Sequence, residues 1–178
     1  NEYTIWKSNL KDIEIDDSYK FVPSILKNEL NLVSDLNLAI NNYSDYGSQN
    51  FIKFSIGPAL TIGNYRKDFF DFTSIGTFLE ITSKSGSSPF KFDDINDDLK
   101  LNLNFDQQII KSLSLGISSY LNIDKDSDKY NKFINTKYSL NWNRRAYNLQ
   151  LYYEQDTKNA GLNFTIFGLP FNGLGKEF

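Results

Sequence analysis

The sequence predicts an all-β chain, an antiparallel up-and-down meander of about eight to ten strands. Three observations carry that expectation. Apolar and polar residues alternate with a period of two over most of the length, without a fault in "LKLNLNF", Leu99 to Phe105. Many alternating runs are about 9 to 15 residues long, where a soluble strand usually has about 5 to 6 and a tilted membrane-spanning strand needs about 9 to 11. The connections read as alternately long and short, so that one end of the meander carries tight turns and the other long polar loops. All 178 residues read as a single domain.

The elements follow in order. Tyr3 and Ile5, then Ile13 and Ile15, mark one or two poorly defined strands. From Leu26 to Ile40 the apolar residues Leu26, Leu30, Leu32, Leu36, Leu38 and Ile40 hold even positions against Lys27, Glu29, Asn31, Asp35 and Asn37. A helix through Leu26, Leu30, Val33 and Leu36 competes with this strand, but the asparagines disfavour it. Ile52, Phe54, Ile56, Leu60 and Ile62 share one face, with Lys53, Ser55, Ala59 and Thr61 on the other. Pro58 interrupts that run. Proline donates nothing to a ladder, so the position reads as a bulge or a locally weak seam. A further strand runs from Phe69 to Ser83, its phase slipping near Ser74, which again suggests a bulge. Then come Leu99 to Phe105; Leu113, Leu115, Ile117, Leu121 and Ile123; Ile134, Tyr138, Leu140 and Trp142; Tyr147, Leu149, Leu151 and Tyr153; and Leu162, Phe164 and Ile166.

Between these runs "NNYSDYGSQN", "KSGSSPFKFDDINDD" and "DKDSDKYN" read as long loops. "NYRKD", the stretch from Gln107 to Lys111, and "NRRA" read as short turns, and "EQDTKN" as intermediate. That layout suits an outer-membrane barrel, with short periplasmic turns and long external loops. Phe105, Trp142, Tyr147 and Tyr153 fall near the ends of runs and in phase with the apolar face, where a bilayer interface favours rings. The greasy face then points outward. Leu99, Leu101, Leu103, Phe105, Leu149 and Leu151 are the expected lipid-facing set. The opposite face, with Asn102, Asn104, Asn141, Asn148, Gln150, Asn163 and Thr165, suits a wet lumen or a soluble exterior equally.

Composition removes several function classes. A net charge of −3 without a basic cluster gives no electrostatic footprint for nucleic acid;. The chain has no Cys and no His, which removes disulfides, thiolates, the commonest metal ligand and the commonest general base. No catalytic residue, cofactor or metal is expected, and no enzyme. There is no Met, so the chain reads as a mature form or a fragment of a longer precursor, without a visible signal peptide. No apolar run is long enough for a transmembrane helix, which leaves a spanning barrel open.

One resemblance goes beyond pattern. "GPALTIGNYRKDFFDFT", "SGSSPFKFDDINDD", the hairpin "RRAY" and the terminal Phe178 resemble the carboxy-terminal part of a cyanobacterial family of unknown function. Its members are similar to lipopolysaccharide-assembly outer-membrane barrels of the OstA/LptD type. The resemblance implies an outer-membrane protein of assembly or transport, with lipopolysaccharide or a related glycolipid as cargo. It implies membrane lipid and periplasmic transport or barrel-assembly proteins as partners. A general diffusion porin and a soluble lipocalin-like binder remain the alternatives.

The remaining charged motifs have modest readings. Arg66, Lys67, Asp68, Arg144 and Arg145 sit in expected periplasmic turns, as solvated hairpin charge or as contacts to a partner or to lipid phosphates. Asp71, between Phe70 and Phe72, would point to the lumen if both rings faced lipid. "DKDSDKYNKFIN" opens like a calcium loop but has Lys129 and Asn135 where Gly and Glu belong. Asp93, Asp94, Asp97, Asp98, Asp124, Asp126 and Asp128 read as solvated loop charge or a weak cation bridge to anionic glycolipid.

Overall fold

The computed structural model describes residues 1–8, 27–43, 47–65, 67–87 and 98–167. Nine strands run in chain order: β1 (Glu2–Lys7), β2 (Glu29–Tyr43), β3 (Gly47–Ile62), β4 (Thr73–Gly86), β5 (Leu99–Ile110), β6 (Leu113–Asn122), β7 (Phe133–Asn143), β8 (Tyr147–Glu154) and β9 (Asn159–Ile166). They form one sheet in that same order, each strand antiparallel to the next. The all-β meander expected from period-2 alternation is therefore the fold. The helix considered for Leu26 to Ile40 is instead β2, and Leu26 itself lies outside the described residues, as do Ile13, Ile15, Arg66, Asp93, Asp94, Asp97 and Phe178. Strands β2 to β7 are 10 to 16 residues long. β1 and β9 are the sheet's edges, each paired on one side among the described residues.

Several connections differ from the sequence reading. Most of "NNYSDYGSQN" is strand, because Asn41 pairs with Gln49 and Tyr43 with Gly47, leaving residues 44–46 between β2 and β3. Conversely, the β3–β4 connection is long. Phe69 only bridges to Ile110 and Phe70 takes a left-handed φ of 49°, so β4 begins at Thr73 and the phase slip near Ser74 marks a strand start, not a bulge. The alternation of long and short connections holds from β4 to β8, and fails on either side of that stretch. β5 continues to Ile110, so Phe105 sits in mid-strand opposite Ile75 and Ile117, not near an end.

The ladder shifts between Thr4 and Trp6 and between Gln108 and Ile110, and two further irregularities bear on the sequence reading. At Pro58 the register runs on unshifted, so the expected bulge is absent. Instead the β3–β4 ladder skips Gly57 and Pro58 while both stay paired to β2. Proline lacks the donor, and the backbones crowd so closely that a Cβ on Gly57 would run into the Thr77 carbonyl;. The true bulge is at Asn135, with φ 53°, where the β6–β7 register shifts;. It places Ile134 opposite Tyr120 and buries it, although the sequence put Ile134 in phase with Tyr138.

Candidate functional site: one sheet, two opposed faces

The register lays the apolar residues in unbroken rows. One row runs Leu60, Ile75, Phe105, Ile117, Tyr138, Tyr153; another runs Leu115, Leu140, Leu151, Leu162; a third runs Leu113, Trp142, Leu149, Phe164. Leu99, Leu101, Leu103 and Leu149 lie on this face half-buried, and Phe105 and Leu151 lie on it exposed. Leu38 is 63% exposed, Phe164 57% and Trp142 46%. No second layer covers the rows among the described residues. The buried apolar side chains there are Tyr65 and Ile134, while the buried polar ones include Asn31, Gln49, Glu80, Thr82, Gln108, Ser114, Asn122 and Asn141. Soluble proteins are arranged the other way round.

The polar face is bonded from β5 to β9. Asn141 Nδ2 donates to Asp106 Oδ2 (3.2 Å), Gln150 Nε2 to Asn141 Oδ1 (2.8 Å), and Asn163 Nδ2 to Gln150 Oε1 (3.0 Å). Asn141 and Gln150 each accept on one side and donate on the other, which lets the chain pass from β5 to β9;. Asp106 reaches Asn141 over β6 because Gly116 stands between them; a Cβ there would strike the Ser139 hydroxyl. A recess of about 280 Å³ opens beside this chain, lined by Asn104, Asp106, Ser118, Lys137, Ser139 and Gln150 among others. Lys53 pairs with Glu80 at 3.1 Å. Lys137 Nζ stands 4.2 Å from the Tyr152 ring centroid.

The turn end is fastened by Gln108, which is fully buried. Its Oε1 accepts the Asp71 and Phe72 N–H groups (2.8 and 3.2 Å), and its Nε2 donates to the Lys67 and Lys111 carbonyls (3.0 and 2.8 Å). The sequence showed only a glutamine beyond an apolar run, and its partners lie up to 41 residues away. Asp71 turns its carboxylate to the Asn64 and Lys67 N–H groups (both 3.4 Å). Phe70 and Phe72 do not share a face: Phe70 is exposed, and Phe72 stacks on Tyr65 at 4.7 Å. Tyr65 leans across the polar face as far as β7, where Asn143 Nδ2 donates to its hydroxyl at 3.2 Å. Burial pushes that hydroxyl above the ordinary phenol range. Lys67, Asp68 and Arg145 are exposed, and the Arg144 guanidinium stands 5.6 Å from the Trp142 ring centroid.

At the loop end Asn122, also fully buried, donates to Ser127 Oγ (2.9 Å) and accepts the Asp124 N–H (2.9 Å). Asp124 in turn accepts the Asp98 and Asp126 N–H groups (2.9 and 3.0 Å), and those bonds hold its carboxyl below the usual carboxylate range. Among the described residues no group of three metal-ligating side chains forms.

The exposed face carries a groove of about 460 Å³. Thr77, Ser119 and Thr136 are small among Phe105, Phe133 and Tyr138. Thr136 lies on this face in phase with Tyr138, and its hydroxyl is 2.7 Å from that of Ser119. No helix of the described residues is long and apolar enough to cross a membrane, which leaves crossing by strands untouched.

No curated protein and no solved structure compared with this chain matches it. A family model does match, over residues 1–170, and by that match the chain belongs to the family described as Protein of unknown function (DUF3769).

Proposed function

We propose that the chain is part of an outer-membrane β-barrel acting in outer-membrane assembly or transport, with lipopolysaccharide or a related glycolipid as cargo. The observation that supports this reading is the inverted burial of the sheet: its apolar rows are exposed, and its polar face is buried and bonded from β5 to β9. Lipid suits such rows, because water penalises them and an apolar solvent does not. Strands β2 to β7, at 10 to 16 residues, are long enough for a tilted crossing, which takes about 9 to 11 residues;. The Asp106–Asn141–Gln150–Asn163 chain would offer hydroxyl-rich sugar heads both donors and acceptors. Acyl chains would leave sideways, where two edge strands part. No chemistry on the cargo is needed.

A diffusion pore is the second reading, supported by the charged Lys53, Glu80 and Lys137 on the inner face. It differs in conducting ions across planar bilayers and in leaving surface glycolipid unchanged. The first experiment is fractionation of cells with alkaline carbonate washing, followed by depletion of the protein. Retention in the outer-membrane pellet with loss of surface glycolipid supports the proposal. Retention with unchanged glycolipid removes the export role. Release into the soluble fraction removes the membrane reading and favours a lipocalin-like binder.

A further inference from the structure

We propose that the recess on the polar face between β4 and β8 seats an uncharged sugar ring. The inference rests on the membrane reading above, in which that face is the inner one, and it narrows the cargo to glycans that present a neutral sugar there. Two glycines make room for the ring. Gly116 keeps the floor low between Asp106 and Ser139, its cross-strand neighbours, and Gly76 stands across the ladder from Asn104. The Phe78 ring folds back over Gly76, where a Cβ would strike it, so an apolar wall rises beside Asn104. The volume of about 280 Å³ is close to the lower end of small-molecule sites, about 300 Å³, which suits a single ring;.

What lines the recess selects the occupant. Among the described residues the side chains of Asn104, Ser118 and Lys137 enter no hydrogen bond or ion pair, and Lys137 rests on the Tyr152 ring. Ser139 accepts from Asn141 at 3.4 Å, which leaves its own proton to give. Donors are therefore to spare, while the Asn104 carbonyl and the Asp106 carboxylate accept. A sugar meets both kinds of wall, with hydroxyls around its edge and C–H groups on its faces. Charge argues against an ion. One carboxylate, Asp106, and one ammonium, Lys137, line the recess, so their charges offset. The adjoining recess toward the loop end, of about 290 Å³, shares Ser118 and Lys137 and adds Glu154 and Asp156. An acidic sugar would stand against Asp106 and beside those two carboxylates. A metal ion would lack ligands, since no group of three forms among the described residues.

The test places the full chain, labelled with heavy nitrogen, in nanodiscs of phosphatidylcholine. The side-chain amide resonances of Asn104, Asn141 and Gln150 are followed as methyl glucoside or, separately, glucuronate is added. Methyl glucoside is expected to shift all three and to bind about fivefold more tightly than glucuronate. Asn104→Leu should weaken methyl glucoside about tenfold, read at Asn141 and Gln150. Asp106→Asn should cancel the preference between the two sugars, which a merely structural role for Asp106 would leave in place. Equal binding of the two by the parent chain, or tighter binding of glucuronate, overturns the neutral seat and leaves the export reading standing. No shift with either sugar in the inserted chain does the same. A chain that elutes free of the discs overturns both the seat and the membrane reading. The parent chain alone decides the preference, so a variant that fails to fold does not rescue the proposal.

Discussion

Leu140, Asn141 and Trp142 are consecutive residues of β7, exposed by 39%, 7% and 46%. The asparagine is the one withdrawn from the surroundings. In a water-soluble sheet the leucine and tryptophan would take that place. Asn141 is buried because it sits in a bonded chain with Asp106 and Gln150. Leu140 and Trp142 are exposed because nothing among the described residues lies over the rows they join. The two faces differ in what stabilises them. Between β5 and β9 the polar face supplies partners of its own, as Asp106, Asn141, Gln150 and Asn163 do, and the apolar face depends on what surrounds it.

That contrast can be broken first at Leu140. Leu140→Arg, three residues from the end of β7, is expected to cost about 2 kcal/mol in a bilayer, between the penalty for a cation at the midplane of a barrel's lipid face and that at its edge;. It should cost almost nothing if the same face meets water. Urea unfolding of the chain folded into phosphatidylcholine vesicles measures this, and an unchanged midpoint would place Leu140 away from lipid.

The neighbouring position sharpens the comparison. Asn141→Leu removes the middle of the polar chain and leaves Asp106 Oδ2 and Gln150 Nε2 without that partner. A loss of about 2 kcal/mol is expected, as for buried polar groups deprived of a hydrogen bond. The same unfolding assay reads it. A variant as stable as the parent would mean that water replaces Asn141 and that the inner face is open at this level.

The smallest effect belongs to the loop end. Asp124 has its carboxyl lowered by the Asp98 and Asp126 N–H groups. Its contribution is present above the ordinary carboxylate pKa of about 3.9 and is lost as pH falls through the lower folded value. The Asp98 and Asp126 amide resonances should therefore move together on acidification below that range. They should stay fixed in Asp124→Asn, and independent movement of the two amides would dissociate them from Asp124.

Sequence alternation revealed the faces because a strand's side chains have a period of two, so each residue announces its side locally. Leu101, Leu103, Leu149 and Leu151 share the apolar face of the sheet for that reason. Alternation failed where a backbone detail shifted the phase. One positive φ at Asn135 turns Ile134 inward, and strand continuation past Phe105 moves that ring to mid-sheet. It also misjudged turns, because "NNYSDYGSQN" has loop composition yet pairs across the β2–β3 hairpin. Gln108, Tyr65 and the Gly116 gap were silent in the sequence, since each acts through partners far away along the chain.

By itself, then, the sequence determined the strand class, the meander and which residues share a face, all properties of local period and short connections. Tertiary structure decided which polar residues bond to each other. It also decided where the register slips, and that Gly76 and Gly116 open a recess beside Asn104 and Lys137. Those depend on neighbours brought close by the sheet, and a carboxamide or an arginine carries no local mark of the partner it will meet.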